Sequence, residues 1–272
     1  MSLTEYRDRP HWSYSSLNQL LSICGLAWRF SHIDKLTQPF KPISLAIGSV
    51  FHRVLEFVSM NRMEDIMPSD KDCRDLFRAL WDREIQDGPP LEMSEEPPDK
   101  LAEQGSGLVG AFLAQIDPDE RVLDVSRAFA VPIGQSDKPL IGELDCVVES
   151  AGETTIVDWK TSARRWAKGQ AEKSLQPTIY LFAQDQLQPG VAPAFRYDVV
   201  VKNKTPLVER IPTSRTQDDY RRLERLVETA DRIVEHGLFW PCQSWACDGC
   251  SYAEPCRAWH RQAARKTVNL AA

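Results

Sequence analysis

What this chain lacks removes several possibilities at once. No apolar run approaches the roughly 20 residues that span a bilayer, and the opening MSLTEYRDRP has no apolar centre of the kind a secretory signal carries. A soluble cytoplasmic protein with no membrane partner is the expectation. Positive charge is not in excess: the formal net charge of -6 excludes a uniformly basic coat, although a local basic groove is compatible with an acidic whole. The seven cysteines are an odd number, which disfavours a disulfide framework where no secretion signal is seen. No G-x-x-x-x-G-K-[ST] stretch occurs, so a nucleotide-driven motor would have to reside on another chain. Internal repeats and low-complexity tracts are also missing.

What is present suffices for a substantial core. The 272 residues, 42% of them hydrophobic, fit one domain carrying an elaboration. Residues 13–30 place Leu17, Leu20, Leu21 and Cys24 at helical spacing behind a serine cap, with Gly25 as the expected stop. After the proline-marked TQPFKP, a second helix is expected over 45–60, with His52 and Glu56 four apart on one face. Residues 69–117 read as two helices parted by DGPPLEMSEEPPD, and 61–120 as a helical insertion. From Arg121 the period changes to two, giving three strands, a helix after Pro177, two further strands, and a long charged helix over 215–236. This order implies an α/β fold with a mixed central β-sheet flanked by helices.

The stretch Gly142–Lys160, GELDCVVESAGETTIVDWK, carries the chemistry. Two apolar strands joined by a turn display Asp145, Asp158 and Lys160, and strand alternation puts Val157 and Trp159 on one face, Asp158 and Lys160 on the other. Phosphodiester hydrolysis needs water made nucleophilic at neutral pH and relief of charge in the transition state. Carboxylates holding Mg²⁺ or Mn²⁺ meet both needs, and a neighbouring lysine can orient the water or neutralise a phosphate oxygen. Solvated charges at strand ends are the plainer alternative for the same triplet. After β-strand DWK, the cations Lys160, Arg164, Arg165, Lys168 and Lys173 alternate with Trp159 and Trp166, a composition suited to phosphate neutralisation with base stacking or simply to a solvated loop.

Four stretches in order, GSVFHRVLE with His52, GELD with Asp145, IVDWKTS with Asp158 and Lys160, and QPTIY with Gln176 and Tyr180, resemble the PD-(D/E)XK nuclease superfamily, specifically its RecB-like branch. The resemblance implies a restriction-endonuclease-like core with a helical N-terminal elaboration and a C-terminal cysteine module. It implies His52, Asp145, Asp158 and the carbonyl of Trp159 as metal ligands, with Lys160 acting on the attacking water. A histidine beside two carboxylates softens the site, so Mn²⁺ should serve at least as well as Mg²⁺. Glu56 is then either an outer support to the metal or a solvated charge. Gln176 and Tyr180 either contact DNA or brace the lysine, the alternative being a helix cap and a packed aromatic.

Cys247, Cys250 and Cys256 have the spacing C-x2-C-x5-C, one ligand short of a tetrahedral site. Cys242 would complete a local zinc knuckle. Cys24 resembles the N-terminal ligand of a 4Fe-4S cluster in the iron-sulfur nucleases of this superfamily, the AddB nuclease domain and the CRISPR-associated adaptation nucleases, although Gly25 stands where proline is usual. In that reading residues 13–30 and 240–260 form one iron-sulfur module within a single nuclease domain, 1–272. The expected function is a metal-dependent exonuclease acting at ends of single-stranded or frayed DNA, in repair, recombination or CRISPR adaptation, beside a helicase or recombination partner. A non-catalytic DNA-binding module and a structure-selective endonuclease are the competing expectations.

Overall fold

Local sequence accounts for most elements of the computed structural model, which describes residues 3–191 and 193–269. After α1 (Leu3–Arg7), Ser13 caps α2 (Tyr14–Asn18) by accepting the Ser16 N–H at 3.3 Å. The single helix expected over 13–30 does not form. A π-helical turn (Gln19–Ile23) ends at Cys24, which is extended (φ -166°, ψ 112°) and whose sulfur caps α3 (Gly25–His32) by accepting the Ala27 N–H at 3.5 Å. Gly25 therefore opens a helix instead of stopping one. The physical reason lies at the other end of the chain: Leu26 N–H, free at the start of α3, donates to the Trp240 carbonyl at 2.9 Å.

Helix α4 (Ile43–Met63) extends the expected span at both ends. By length and composition it could cross a membrane, contrary to the expectation that no stretch could. Its Val50, Phe51, Val54, Leu55 and Val58 are instead buried against α5 (Asp70–Asp87) and α6 (Pro98–Leu113), so it is a core helix. The proline-rich segment between α5 and α6 stays non-helical, as its sequence requires.

The strands β1 (Arg121–Val131), β2 (Leu140–Ser150), β3 (Glu153–Ser162), β4 (Ala194–Val201) and β5 (Leu207–Thr213) form one sheet in chain order. All neighbours are antiparallel except β3 and β4, which run parallel. That one parallel pair needs a crossover, supplied by α7 (Gln170–Lys173) and α8 (Gln176–Leu187). The β2–β3 hairpin turns on Ala151 and Gly152, both with positive φ (51° and 83°), the geometry of a two-residue primed turn. One sheet face packs on α4, α5 and α6. The other packs on α8, on α9 (Gln217–Glu235) and on the N-terminal Trp12, Leu17, Leu20 and Trp28. A last helix, α10 (Ala253–Asn269), follows the cysteine-rich segment. The fold is thus α/β with a mixed sheet flanked by helices.

Candidate active site

The β2–β3 ladder runs from Ser150↔Glu153 to Cys146↔Val157 and stops there, one pair short of Asp145 and Asp158. Strand alternation also slips at this level. Val125 and Cys146 pack on the α4 side, whereas Phe129 and Leu144 pack on the α8 side, and Ser126 between Val125 and Arg127 has φ 50°. A non-glycine residue held left-handed inside a strand is strained. The slip frees the Asp145 carboxylate from the regular pleat: its Oδ2 accepts the Trp159 N–H at 2.9 Å and lies 3.4 Å from His52 Nδ1. Helix α4 thus delivers His52 to β2, some ninety residues later in the chain.

Asp158, with no exposed surface, points to the α8 face. Lys160 pairs with its Oδ2, and the Gln176 amide donates to its Oδ1 at 2.6 Å and also to the Tyr180 hydroxyl at 2.9 Å. Gln176 and Tyr180 therefore brace the acid that pairs with the lysine. Their own helix is held in place by Arg215, which donates to Thr178 Oγ1 and to the carbonyls of Ala171 and Ser174 at 2.8, 3.0 and 2.8 Å. Lys160 Nζ also lies 5.8 Å from the centre of the Tyr197 ring.

Burial and neighbours set the charges. Burial pushes the Asp158 carboxyl up to about 6, Lys160 opposing and the Asp145 charge assisting. Burial works the same way on Asp145, but His52, Lys160 and the Trp159 N–H hold its pKa below the usual aspartate value. His52 and Lys160 are both raised, because the carboxylates outweigh their desolvation. The two acids are thereby driven apart, one ready to ionise and one inclined to keep a proton. As placed, no three His, Cys, Asp or Glu side chains among the described residues are grouped to hold a metal ion. The donor set nevertheless suits a hard divalent cation: Gln176 Oε1 is buried without a hydrogen-bond partner among the described residues, and the buried Asp158 Oδ2 meets Lys160.

His52, Arg53, Glu56, Glu143, Asp145 and Lys160 line one cavity of about 510 Å³. Burial, Glu56 and Asp145 together raise the Glu143 pKa. Glu143 was not singled out in the sequence, although its position two residues before Asp145 was the available signal. Arg127 and Gln184 were also not foreseen. The Arg127 guanidinium donates to Gln184, which continues the Gln176–Tyr180 face by one more turn. Arg164, Arg165, Lys168 and Lys173 are exposed, Arg165 pairing with Glu209 at 2.8 Å. The expected tryptophan platforms are not free: Trp159 is buried among α4, α5 and α6, and Trp166 packs edge-on against Tyr197 at 4.7 Å. Both serve the core because strand alternation and the crossover turn them inward.

Away from this cleft, Cys24, Cys242, Cys247, Cys250 and Cys256 line a cavity of about 310 Å³ between α3 and the C-terminal segment. Cys24, Cys250 and Cys256 pack against Leu26, Phe30 and Tyr252. The Cys24 sulfur accepts the Cys242 N–H at 3.4 Å in addition to its cap bond. Burial raises the Cys256 thiol pKa, and the thiols that add to this are Cys24, Cys250 and Cys247. Cys73 and Cys146 are buried elsewhere.

Known proteins place this arrangement. A solved structure of a provisionally named exonuclease from Eubacterium rectale has the same fold, with a TM-score of 0.54 over 92% of this chain and 90% of that one at 13% identity. The structure of SSO0001 aligns over 88% of this chain and 90% of that one with a TM-score of 0.37 and 11% identity, too distant to bear on the fold. None of the curated proteins matches the sequence. Residues 11–257 match the PD-(D/E)XK nuclease superfamily, a span that contains His52, Asp145, Asp158, Lys160 and Gln176 as well as all five cavity cysteines. Members of that superfamily generally use divalent metals such as Mg²⁺ and Mn²⁺. A mixed sheet parted at an acid–lysine strand, inside a matched span that covers nearly all of the sequence, shows that this chain belongs to the PD-(D/E)XK nuclease superfamily.

Proposed function

We propose that this protein is a metal-dependent deoxyribonuclease acting at the ends of single-stranded or frayed DNA, with Mn²⁺ or Mg²⁺ held by His52, Asp145, Asp158 and the Trp159 carbonyl. The observation that carries the reading is the parted edge of β2 and β3, where His52, Asp145, Asp158 and Lys160 meet in a chain of nuclease family. A divalent cation there would neutralise a phosphate oxygen and acidify a water. Lys160, held by Asp158, aligns the water or neutralises the phosphate. Gln176 keeps the Asp158 carboxylate oriented, and Tyr180 keeps Gln176 oriented. Arg164, Arg165, Lys168 and Lys173, at the end of β3, provide exposed cations for the DNA backbone. The fold neighbour's name agrees with action at ends.

We assign Cys24, Cys247, Cys250 and Cys256 as ligands of a 4Fe-4S cluster that ties the two ends of a single nuclease domain, with 61–120 as its helical insertion. Supporting this, the four thiols line one cavity of about 310 Å³ together with Cys242, and Cys24, Cys250 and Cys247 all act on Cys256. Cys242 instead offers its N–H to Cys24 sulfur, a contact that would support a thiolate. Zinc is the other occupant that the thiol chemistry allows.

The test uses linear end-labelled and circular single-stranded DNA with Mn²⁺, Mg²⁺ or EDTA. Metal-dependent loss of the linear strand with the circle intact is expected. Cutting of the circle would make the enzyme an endonuclease, and binding without cleavage would leave a DNA-binding module.

A further inference from the structure

A third cavity, of about 450 Å³, lies between α6, the first turns of α4 and the β4–β5 connection. Ile47, Gln104, Gly107, Lys202, Asn203 and Lys204 line it. Lys202 follows directly on β4, and its N–H donates to the Ser162 carbonyl at 2.8 Å, so it is fixed to the strand that carries Asp158 and Lys160. It stands three residues beyond Val199, the register partner of Lys160. Strand rise and interstrand spacing then put the two lysine Cα atoms roughly 11 Å apart.

Lys202 is half-buried yet makes no ion pair among the described residues, and burial lowers its pKa. Partial burial of an ammonium disfavours its charged form, and among the described residues no carboxylate compensates it. Lys204, exposed, is likewise without an ion pair among the described residues, while Glu103 is an exposed carboxylate at the rim. The lining is thus positive on balance.

Gly107 provides an independent observation. It occupies the interior of α6, where glycine is less favourable than alanine by about 0.8–1 kcal/mol. No atom lies within 4 Å of where its Cβ would stand, and it is not among the positive-φ residues. Neither packing nor conformation asks for glycine here, in contrast to Gly105, whose Cβ would fall 2.1 Å from the Phe77 ring. The bare helix backbone leaves room on the cavity side. The cavity also flanks the same two turns of α4 as the active-site cavity, Ser44, Leu45 and Gly48 lining one and Ile47 the other. The two cavities thus lie on either side of the N-terminal turns of α4.

We propose that this cavity is a phosphate subsite for the nucleic-acid strand, in which Lys202 neutralises a backbone phosphate displaced from the scissile one and Gly107 makes room for it. The proposal rests on the nuclease reading and names the path of its substrate. The full-length protein is titrated with a fluorescein-labelled single-stranded DNA oligonucleotide in EDTA at several salt concentrations. Lys202→Ala is expected to weaken binding roughly three- to tenfold and to reduce the slope of log affinity against log salt by about 0.7, and Lys202→Arg to restore both. Gly107→Gln, which fills the cavity with a better helix former, is expected to weaken binding without lowering the melting temperature. Unchanged affinity and slope in Lys202→Ala and Gly107→Gln, with wild type binding DNA, overturn the subsite and leave the nuclease reading standing. A wild type that binds no DNA in EDTA overturns the subsite, and one that also cleaves none with Mn²⁺ overturns both.

Discussion

Gly142→Ala isolates the link between packing and the active site. Gly142 faces Phe129 across the β1–β2 ladder, and an alanine Cβ there would stand 2.5 Å from Cζ and 2.8 Å from Cε1 of that ring. The ring cannot simply swing away. Phe129 is 2% exposed and meets Tyr180 edge-on, with ring centres 5.8 Å apart. Tyr180 in turn receives the Gln176 amide that holds Asp158. Overpacking of this kind typically costs about 1–3 kcal/mol. With an unfolding entropy of about 2.1 cal/mol/K per residue across the chain, that corresponds to a melting temperature lower by about 2–5 °C. Cleavage measured well below the transition should fall by more than the folded fraction explains, because the displaced ring loosens the Gln176–Asp158 bond. The assay is thermal unfolding by circular dichroism on Gly142→Ala, Phe129→Leu and the double variant. The two substitutions should be strongly coupled, alanine costing little once the ring is gone. A Gly142→Ala protein that melts with wild type, or an additive cycle, refutes the reasoning.

Three further outcomes are expected. Gln176→Leu leaves Asp158 Oδ1 buried without its donor, so the protein should lose about 1–3 kcal/mol and cleave DNA about 10–100-fold more slowly, as read by denaturant unfolding and single-turnover kinetics. Asp231 accepts the Trp12 indole N–H at 3.0 Å and the Lys138 ammonium at 2.8 Å. Burial opposes its ionisation, but Lys138, Ser136 and Trp12 hold its pKa below 3.8. The folded state therefore binds fewer protons than the unfolded one near that pH, and the stability from Asp231 is present above it and lost as pH falls through the folded value. Asp231→Asn should cost about 1–2 kcal/mol at pH 7, with the gap closing in urea titrations below about pH 4; a gap constant down to pH 2 would contradict this. Anaerobically purified protein should contain iron and sulfide, lose them in Cys24→Ser and keep them in Cys242→Ser, whereas stoichiometric zinc in colourless protein would replace the cluster.

Much of this architecture is legible in the sequence because alternation and helical spacing are local. Val157 and Trp159 against Asp158 and Lys160 follow from the pleat alone, and the mixed sheet follows from the order of elements. What is not legible depends on contacts between distant segments. The break at Cys24 depends on Trp240, more than two hundred residues away, taking the Leu26 N–H. The slip at Ser126 and Asp145 has no signature in a run of apolar and polar residues, since its cause is strand parting at the site. Arg127, Gln184 and Glu143 read as ordinary polar residues until the fold sets them beside the Gln176–Tyr180 face of α8 and the His52 cavity. Trp166 reads as a stacking platform until it is seen packed edge-on against Tyr197.

The central claim is that Lys160 and the acids at the parted strand edge hydrolyse phosphodiesters. Cleavage of end-labelled DNA with Mn²⁺, compared between wild type and Lys160→Ala, tests it most directly. Without its partner, Asp158 is expected to take up a proton and the fold to persist, which circular dichroism verifies. Cleavage should fall by about 10²–10³-fold while DNA is still bound. A folded Lys160→Ala protein that degrades DNA at the wild-type rate would contradict the account.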